Sequence, residues 1–566
     1  MKILLIYPYF LDKRIHEYDI SVPPIGIYYV GALLKENGYD VQVYNWHSAN
    51  HTPDIISDII DKERPDIIGF SILHANRWGG IDIAKIAKNL NPDIKIVFGG
   101  IGATFLWDHL LTHFHDIDYI VLGEGEIPFL NLVKALATGA HDKIPHIPGI
   151  AFRHQQQPQK TDPAAPVENL DQFPNPARYF QFQHVAFTRG CPGNCAFCGS
   201  PLFWGPQVRT HSPGYFVDQL ELLALKGIKF FYFSDDTFTF KKHWVKAICQ
   251  EIIRRQLDIT WVAIARVNHI QADILDWMRK AGCIQISFGI ESGSEKIRQK
   301  LNKPIKTAQI KKAFDLVKHY GIMPRAYFIY GSPGESEETI QASIDLIRKI
   351  KPLSIITYVL DIFPGTRIYQ ELLEQGRITE DIWQKRIEDL LYFEIDDRID
   401  PKSILTYGNA LRHAFYQNLP LFVEDIDLIK DPEFNRLHAD FYSRLGMTFS
   451  HGDYSEIDAI PGKKSISKSL FQKSLACSPD HRSYLGLGML YQQEGSFEKS
   501  IRILDQGLIH FDSSMDLRVC QGINYMNLKD FDRALTYFLD YKDQEHVGPY
   551  IIQCYEAIRS QNFMKR

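Results

Sequence analysis

The chain has 566 residues, of which 45% are hydrophobic and 23% are charged, and its net charge is -5 at pH 7. This length predicts about three or four domains, because one domain takes roughly 100 to 200 residues. The nearly balanced charge gives no electrostatic reason to expect a nucleic-acid partner. No apolar run reaches the roughly 18 residues of a membrane-spanning segment, so we expect no transmembrane helix.

The start of the chain and most of its cysteines indicate a reducing compartment. The first apolar run ends at Pro8, which is too early for a signal peptide. Five cysteines are spaced without a disulfide-like rhythm, and we expect them to be small buried thiols. They are Cys249, Cys283, Cys477, Cys520 and Cys554. A cytoplasmic location is therefore expected.

Residues 1–140 alternate short apolar strands with amphipathic helices. This pattern predicts a Rossmann-like, doubly wound α/β domain with a parallel sheet. Helices are expected at 25–37 and 81–90, since glycine or proline stands at or just beyond their ends. The strands are expected at 3–7, 40–44, 67–71, 94–98 and 119–122.

The middle of the chain predicts a second α/β domain. Residues 141–180 are polar and rich in proline and glutamine, which indicates a linker or a small hairpin. Residues 181–375 contain six predicted βα units, and six such units make a partial (β/α)6 barrel of the TIM type. Barrels of this kind carry their chemistry at the carboxyl ends of the strands. The strands are expected at Val185 and at 230–233, 260–265, 284–289, 325–330 and 354–360.

The last part of the chain predicts an all-α region. Residues 376–460 form a helical extension of no evident chemistry, and residues 463–566 contain an internal repeat with an offset of 34 residues. This offset is the tetratricopeptide period, and an unrelated pair of helical hairpins would not keep small and aromatic residues in register. The repeat relates Gly488, Tyr491, Phe497 and Ser500 to Gly522, Tyr525, Phe531 and Ala534.

Three further cysteines stand in one short segment that follows Thr188, with a CxxxCxxC spacing. Thiolates are the usual ligands of iron-sulfur clusters, and three of them leave one iron of a four-iron cluster open to an exogenous chelator. Structural zinc is the alternative, although zinc normally closes its tetrahedron with four ligands. The spacing resembles the signature of the radical S-adenosylmethionine (SAM) enzymes. This resemblance implies a [4Fe-4S] cluster on Cys191, Cys195 and Cys198, with SAM on the open iron.

Two acidic residues follow the second predicted barrel strand. Asp235 and Asp236 stand where the radical SAM family usually keeps a turn that binds the amino group of SAM, although this chain lacks the glycines of that turn. A carboxylate suits a cationic amine, so either residue is a candidate for this contact. The alternative is that one of them caps the next helix, where aspartate is favoured.

Two later strand ends also resemble SAM-binding segments of the family. Glu291 and Ser292 match the segment that contacts the ribose and methionine parts of SAM. Gly331 lies in a region that resembles the family's GxIxGxxE motif and implies a backbone role in adenine packing. Glu335 in the same region is alternatively the opening acid of the next helix, where the helix dipole favours it.

The N-terminal domain resembles the cobalamin-binding domain that is fused to one large class of radical SAM enzymes. Ser71 and Leu73 match its SxL element, and Gly99 and Gly100 match its GG element. Glycines let the backbone approach a bulky corrin, and ligands of open α/β sheets bind beyond the carboxyl ends of the strands. The resemblance therefore implies a cobalamin site at these four residues.

The histidine that ligates cobalt from below in the DxHxxG motif is absent. Pro23 and Ser21 stand where its histidine and aspartate are expected. We expect either cobalamin bound without this ligand, as is common in the fused class, or an empty module that shapes the substrate pocket. His74, just after the SxL element, is a candidate for approaching the corrin or is merely solvated.

The resemblance implies a radical SAM enzyme that cleaves SAM, abstracts hydrogen from an unactivated carbon, and carries out cobalamin-dependent C-methylation. No residue is singled out as a catalytic group. One alternative is ring closure or rearrangement without methyl transfer, and another is a scaffold or sensor that binds proteins through the repeats. The implied partners are a reductant such as flavodoxin or ferredoxin and a protein or peptide at the repeats, since such arrays form concave binding surfaces.

Overall fold

The computed structural model of the chain describes residues 1–11, 22–49, 52–396 and 400–564. It divides into two units: Met1–Leu316 with Pro324–Arg412, and Val317–Met323 with His413–Arg566. Within the described ranges, every helix is too short or too polar to cross a bilayer.

The first unit begins with a seven-stranded sheet. Its strands are β1 (Lys2–Tyr7), β2 (Asp40–Asn45), β3 (Ile67–Ser71), β4 (Lys95–Gly99), β5 (Tyr119–Val121), β6 (Ile150–His154) and β7 (Gln157–Lys160). Their order in the sheet is β2-β1-β3-β4-β5-β6-β7. The first five pair in parallel, and β6 and β7 add an antiparallel hairpin at the edge. The polar stretch after residue 140 thus contributes a hairpin to the sheet.

Helices cover both faces of this sheet. Leu4 and Ile6 of β1 join one buried hydrophobic cluster, and Ile3 and Leu5 join another. Successive side chains of a strand point to opposite faces, so this division identifies a sheet that is buried on both sides. The helices are α1 (Gly26–Glu36), α2 (Pro53–Glu63), α3 (Arg77–Leu90), α4 (Ile101–Phe105), α5 (Trp107–His113) and α6 (Glu126–Ala137).

The predicted partial barrel is a six-stranded sheet. The strands of this region are β8 (His184–Val185), β9 (Thr188–Arg189), β10 (Arg209–Thr210), β11 (Phe230–Phe233), β12 (Thr260–Ala265), β13 (Cys283–Glu291), β14 (Met323–Tyr330) and β15 (Ser354–Val359). The sheet order is β15-β14-β13-β12-β11-β8, and β9 and β10 form a separate two-stranded ribbon. Since β15 and β8 lie at opposite edges, the barrel is open, as its six predicted βα units require.

Helices alternate with these strands and complete the βα pattern. The wall is densely aromatic: the rings of Phe233 and Trp261 stack on neighbouring strands with centroids 4.4 Å apart. The helices are α7 (Ser200–Trp204), α8 (Pro213–Leu225), α9 (Lys242–Arg254), α10 (Ala272–Lys280), α11 (Glu295–Lys300), α12 (Thr307–His319), α13 (Glu337–Ile350) and α14 (Arg367–Glu374).

The chain is helical from Pro401 onward, as predicted, whereas the described residues 376–396 of the predicted extension contain only short 3-10 turns. The helices are α15 (Pro401–Glu424), α16 (Asn435–Ser450), α17 (Lys463–Cys477), α18 (His481–Gln493), α19 (Phe497–His510), α20 (Met515–Asn527), α21 (Phe531–Phe538) and α22 (Gly548–Met564). Gly488 packs against Leu504, and Gly522 packs in the same way against Phe538. Both members of this contact are displaced by the repeat offset of 34 residues. The assignment of these hairpins to the tetratricopeptide class stays a prediction.

Candidate active site

The cysteine segment is a loop held at one residue, Ala196, by two backbone hydrogen bonds. Ala196 N donates to Leu301 O at 2.9 Å, and Ile368 N donates to Ala196 O at 3.0 Å. The loop is thereby fixed between the end of α11 and the start of α14. Its three thiol side chains remain partly exposed: Cys191, Cys195 and Cys198.

The surroundings of Cys195 and Cys198 disfavour the thiolate form of both side chains. Burial raises the pKa of Cys195, and burial raises the pKa of Cys198 to about 12. Lys303 and Arg266 oppose this shift at Cys195, and Glu291 adds to it. Metal binding would therefore have to supply the stabilisation that keeps the thiolate form.

The cysteine loop offers three thiols as candidate metal ligands. Over the described ranges, no three His, Cys, Asp or Glu side chains converge closely enough to hold one ion. A structural zinc ion would require such convergence of four ligands. Ligands of a cubane cluster bind separate irons and do not need to meet at one point. The chemistry of three partly exposed thiols in one clamped loop fits the cluster.

Asp235 holds the segment that leads into the cysteine loop. Its side chain accepts hydrogen bonds from Phe187 N at 3.1 Å, from Thr188 N at 2.6 Å and from Thr188 Oγ1 at 2.7 Å. The residue is only 1% exposed, and burial raises the pKa of its carboxyl to about 6. Its oxygens are thus engaged by the chain itself.

Asp236, unlike Asp235, lines a cavity of the first unit. Its Oδ2 accepts a hydrogen bond from Ser200 Oγ at 2.5 Å. Burial raises the pKa of Asp236, and its charge in turn raises the pKa of Cys198. Of the two aspartates, Asp236 is therefore the one that combines access to the cavity with proximity to the cysteine loop.

Glu291 ends β13 in a left-handed conformation, with φ of +65°. Its Oε1 accepts a hydrogen bond from Lys303 Nζ at 2.6 Å, and both side chains are largely buried. Ser292, next in the chain, lies with its Oγ 3.4 Å from Ser343 Oγ. Sequence patterns did not reveal Lys303, because a single lysine after a short helix belongs to no motif.

Gly331 forms a turn that Glu335 closes. Gly331 has φ of +77°, where a side chain would be strained. Glu335 Oε2 accepts hydrogen bonds from Gly331 N and, at 3.2 Å, from Ser332 N. Burial raises the pKa of Glu335 to about 7. Glu335 therefore stabilises the turn after β14. It is not the opening acid of the next helix, because α13 begins at Glu337.

A cavity of about 540 Å³ lies between the carboxyl edge of the first sheet and Thr188 and Arg189, which precede the cysteine loop. Of the predicted SAM-binding residues only Asp236 lines it; Glu291, Ser292 and Gly331 do not. A side chain at Gly26 or Gly123 would meet nothing within 4 Å, and one at Gly99 would meet its nearest atom at 3.7 Å. These glycines keep open a space beside the sheet edge, which fits a large flat ligand such as a corrin. The predicted residues on this wall are Ser71, Leu73, Gly99 and Gly100, and all four line the cavity.

His74 contacts the barrel. Its Nε2 lies 2.7 Å from Asp361 Oδ2, and its ring stacks on Phe363 with centroids 4.6 Å apart. Phe363 is also close to Gly199, directly after the third cysteine of the loop. His74 thus connects the loop after β3 with the segment after β15. Ser21, which stands where the aspartate of the DxHxxG motif is expected, lies outside the described residues.

Comparison with known proteins agrees with this division into two cofactor modules. A model of the radical SAM superfamily matches residues 185–347, and a model of the B12 binding domain matches residues 14–133. The uncharacterized methyltransferase PH0819 of Pyrococcus horikoshii is 31% identical over 443 residues, covering 75% of this chain and 95% of that protein. The anaerobic magnesium-protoporphyrin IX monomethyl ester cyclase of Rubrivivax gelatinosus is 31% identical over 390 residues, covering 66% and 70%.

Solved structures share the fold. TsrM from Kitasatospora setae, a radical SAM methyltransferase with cobalamin and a [4Fe-4S] cluster bound, matches with a TM-score of 0.59 and 15% identity, covering 84% of this chain and 100% of that one. The cobalamin-dependent SAM radical enzyme OxsB matches with a TM-score of 0.54 and 16% identity, covering 98% and 83%.

These matches and the site define the class of the protein as an iron-sulfur enzyme with an appended B12-binding module. The chain belongs to the cobalamin-binding radical SAM family. Its cofactors are accordingly a [4Fe-4S] cluster, SAM and cobalamin. An enzyme of this kind also needs a reductant.

Proposed function

We propose that the chain is a cobalamin-dependent radical SAM methyltransferase that adds a methyl group to an unactivated carbon. One observation carries this proposal: the glycine-lined edge of the first sheet and Asp236, beside the cysteine loop, line the same cavity. A methyl carrier and a radical initiator have to reach one substrate, and a shared cavity allows this. When bound, the cluster supplies the electron that splits SAM, and cobalamin supplies the methyl group.

The cluster ligands in this proposal are Cys191, Cys195 and Cys198. Both backbone hydrogen bonds of the loop described above are made by Ala196, which lies between the second and the third of these cysteines. Cys249 and Cys283, the other two cysteines of the first unit, are buried elsewhere in the barrel. One iron would therefore lack a protein ligand.

SAM would be held by three strand ends of the barrel. Asp236 presents a carboxylate to the cavity and suits the cationic amino group of SAM. Glu291, paired with Lys303, and Ser292 would contact its ribose and methionine parts. The backbone of the turn at Gly331 would pack against the adenine. Asp235 would act as a positioning residue, because its oxygens already bind the chain.

Cobalamin would bind at Ser71, Leu73, Gly99 and Gly100. Gly100 has φ of +93°, and a Cβ there would lie 2.7 Å from Ile72 O. Glycine is thus required at this point of the edge for steric reasons. These residues would hold and orient the corrin at the edge of the first sheet.

Product analysis tests the proposal without knowledge of the substrate. The protein would be reconstituted anaerobically with iron and sulfide, then incubated with SAM and a reductant, with and without hydroxocobalamin. We expect 5'-deoxyadenosine in both samples, and S-adenosylhomocysteine only in the sample with the corrin. Absence of 5'-deoxyadenosine despite a loaded cluster would favour the scaffold alternative and overturn the proposal.

Ring closure without methyl transfer is a second candidate function. It is favoured by the 31% identity to the Rubrivivax cyclase, which is as high as the identity to the Pyrococcus methyltransferase. A cyclase does not demethylate SAM. Production of 5'-deoxyadenosine without any S-adenosylhomocysteine, in protein that retains cobalamin, would therefore select this candidate.

The helical hairpins of the second unit would bind a protein partner. Two of these hairpins repeat the same glycine contact at the tetratricopeptide offset, and repeats of that class form concave surfaces for peptides or subunits. The partner would be a peptide substrate, a carrier-bound intermediate, or the reductant itself, such as flavodoxin or ferredoxin. Pull-down with flavodoxin and with ferredoxin, each scored for faster SAM cleavage, tests the last of these.

A further inference from the structure

Four charged side chains, three of them buried and Glu124 partly buried, lie together where the first sheet meets the start of the cysteine loop. Arg189 in β9 pairs with Arg209 in β10 and lies two residues before Cys191. Its Nη1 donates to Glu124 Oε2 at 2.7 Å, and its Nη2 donates to Glu126 Oε1 at 2.5 Å. Arg209 donates to Glu124 as well, with Nη1 at 3.1 Å. Two guanidinium groups of the ribbon are thus neutralised by two carboxylates next to α6.

Aromatic rings enclose the guanidinium of Arg189. It lies 5.4 Å from the ring centroid of Tyr29, 5.4 Å from that of Phe173 and 5.6 Å from that of Trp204. Arg189 is 8% exposed and Glu126 is 4% exposed. The contacts therefore come from α1, from the turn before α6, from the segment after the hairpin and from α7, and they leave the guanidinium little freedom.

The same group forms part of the cavity wall. Glu124, Glu126, Arg189 and Trp204 line the cavity together with the glycine edge of the first sheet. Breaking one arm of a buried ion pair leaves an uncompensated charge, whereas the intact pair adds geometric specificity more than stability. A planar guanidinium that binds two carboxylates fixes both distance and angle, which a lysine ammonium does not.

We propose that Arg189 is a positioning residue that holds the cysteine loop and the turn at residues 123–126 in one register. This arrangement would keep the cobalamin edge of the cavity at a fixed separation from the loop that carries the cysteines. The inference rests on the proposed cluster and cobalamin sites. Glu124 and Glu126 accept the hydrogen bonds of Arg189, and Arg209 balances the charge of Glu124.

Hydrogen exchange of the reconstituted full chain tests whether residues 123–126 and the start of the cysteine loop stabilise each other. In Arg189→Lys we expect the amides of residues 123–126 to exchange at least about fivefold faster, although the substitution lies outside that segment. In Glu126→Gln we expect the same at residues 188–191. Both variants should retain hydroxocobalamin at least about tenfold more weakly, with iron content unchanged. If Arg189 acted only within its own loop, hydrogen exchange at residues 123–126 would not change in Arg189→Lys.

Arg255 provides a matched control. It also binds several carboxylates, including Asp218 at 2.6 Å and Glu221 at 2.7 Å, but on the helices α8 and α9. Arg255→Lys should leave exchange at 123–126 and corrin retention at wild-type values.

The link is overturned if Arg189→Lys changes exchange only within its own loop and retains the corrin like the wild type. Should this variant fail to fold, Glu126→Gln decides by the same two measurements. If the wild type itself retains no hydroxocobalamin, the proposed function fails, while the exchange comparison still decides whether the two segments are linked.

Discussion

The two walls of the cavity are built by opposite means. The wall on the barrel side includes polar side chains that are held by hydrogen bonds, as Thr188 and Asp236 illustrate. The wall formed by the first sheet depends on missing side chains, at Gly99, Gly100 and Gly123. The barrel side therefore contributes polar groups to the cavity, and the sheet side contributes room for a ligand. Substitutions should therefore act on the barrel wall by removing groups and on the sheet wall by adding them.

The largest effect is expected from Cys195→Ala. It removes one of three proposed cluster ligands, and no neighbouring cysteine of the loop can replace it, so iron loading and SAM cleavage should fall below detection. The fold should persist, because the thiol is partly exposed and not a core element. Iron content and 5'-deoxyadenosine yield measure this. Cys477→Ala, in the second unit, is the control and should match the wild type; full SAM cleavage by Cys195→Ala would contradict the ligand assignment.

On the opposite wall, Gly99→Phe should expel the corrin. The ring would extend into the cavity, so retention of hydroxocobalamin should weaken by about tenfold or more, which corresponds to about 1.4 kcal/mol. SAM cleavage should continue, because the cysteine loop is untouched. Gly99→Ala is the matched control, since a Cβ at this position meets its nearest atom at an ordinary 3.7 Å. Equal retention by the Phe and Ala variants would exclude this edge as the corrin site.

Asp235→Asn should change how stability depends on pH. Burial raises the folded-state pKa of Asp235 from 3.8 to about 6, so the wild type loses stability as pH rises through this window. The loss is about 3 kcal/mol at most, since one pKa unit is about 1.4 kcal/mol. Asparagine does not ionise, and its Oδ1 can still accept from Phe187 and Thr188.

The measurement for Asp235→Asn is the Tm of the apoprotein at several pH values between 4 and 7. We expect the Tm of the variant, relative to the wild type, to rise between pH about 4 and about 6 and then to level off. A Tm difference that is constant across this range would show that the Asp235 carboxyl keeps its ordinary pKa in the folded protein.

The smallest effect on chemistry is expected from Gly522→Val, in the second unit. A side chain there would overlap the ring of Phe538, and overpacking of this kind costs about 1–3 kcal/mol. The Tm of the helical unit should fall, while the 5'-deoxyadenosine yield stays at the wild-type value. Gly548→Ala is the control, because its Cβ would meet nothing within 4 Å. Loss of SAM cleavage in Gly522→Val would contradict this prediction, because it would show that SAM cleavage depends on the helical repeats.

Most of the fold was predictable because periodicity and turn residues act locally. The prediction of a strand at 67–71 coincides with β3, and that at 230–233 with β11. The hairpin β6–β7 was harder, since nothing local tells a polar hairpin from a linker. It is stabilised by pairing with β5, a contact that only the folded sheet creates.

The candidate site was predictable only where a motif carried it. The cysteine spacing and the glycine edge are such motifs, whereas Lys303 and Arg266 reach Cys195 through tertiary structure alone. Asp235 and Asp236 are chemically equivalent in the sequence. Their separation into a buried positioning group and a cavity-facing group depends on which way each side chain points from the end of β11, and the sequence does not record that direction.

Mössbauer spectroscopy of protein reconstituted with 57Fe, recorded with and without SAM, tests the central claim most directly. We expect a [4Fe-4S] cluster in which one iron of four changes its isomer shift when SAM is added, because only that iron lacks a cysteine ligand. A mononuclear iron signal, or a cluster whose four irons are all unaffected by SAM, would contradict the account.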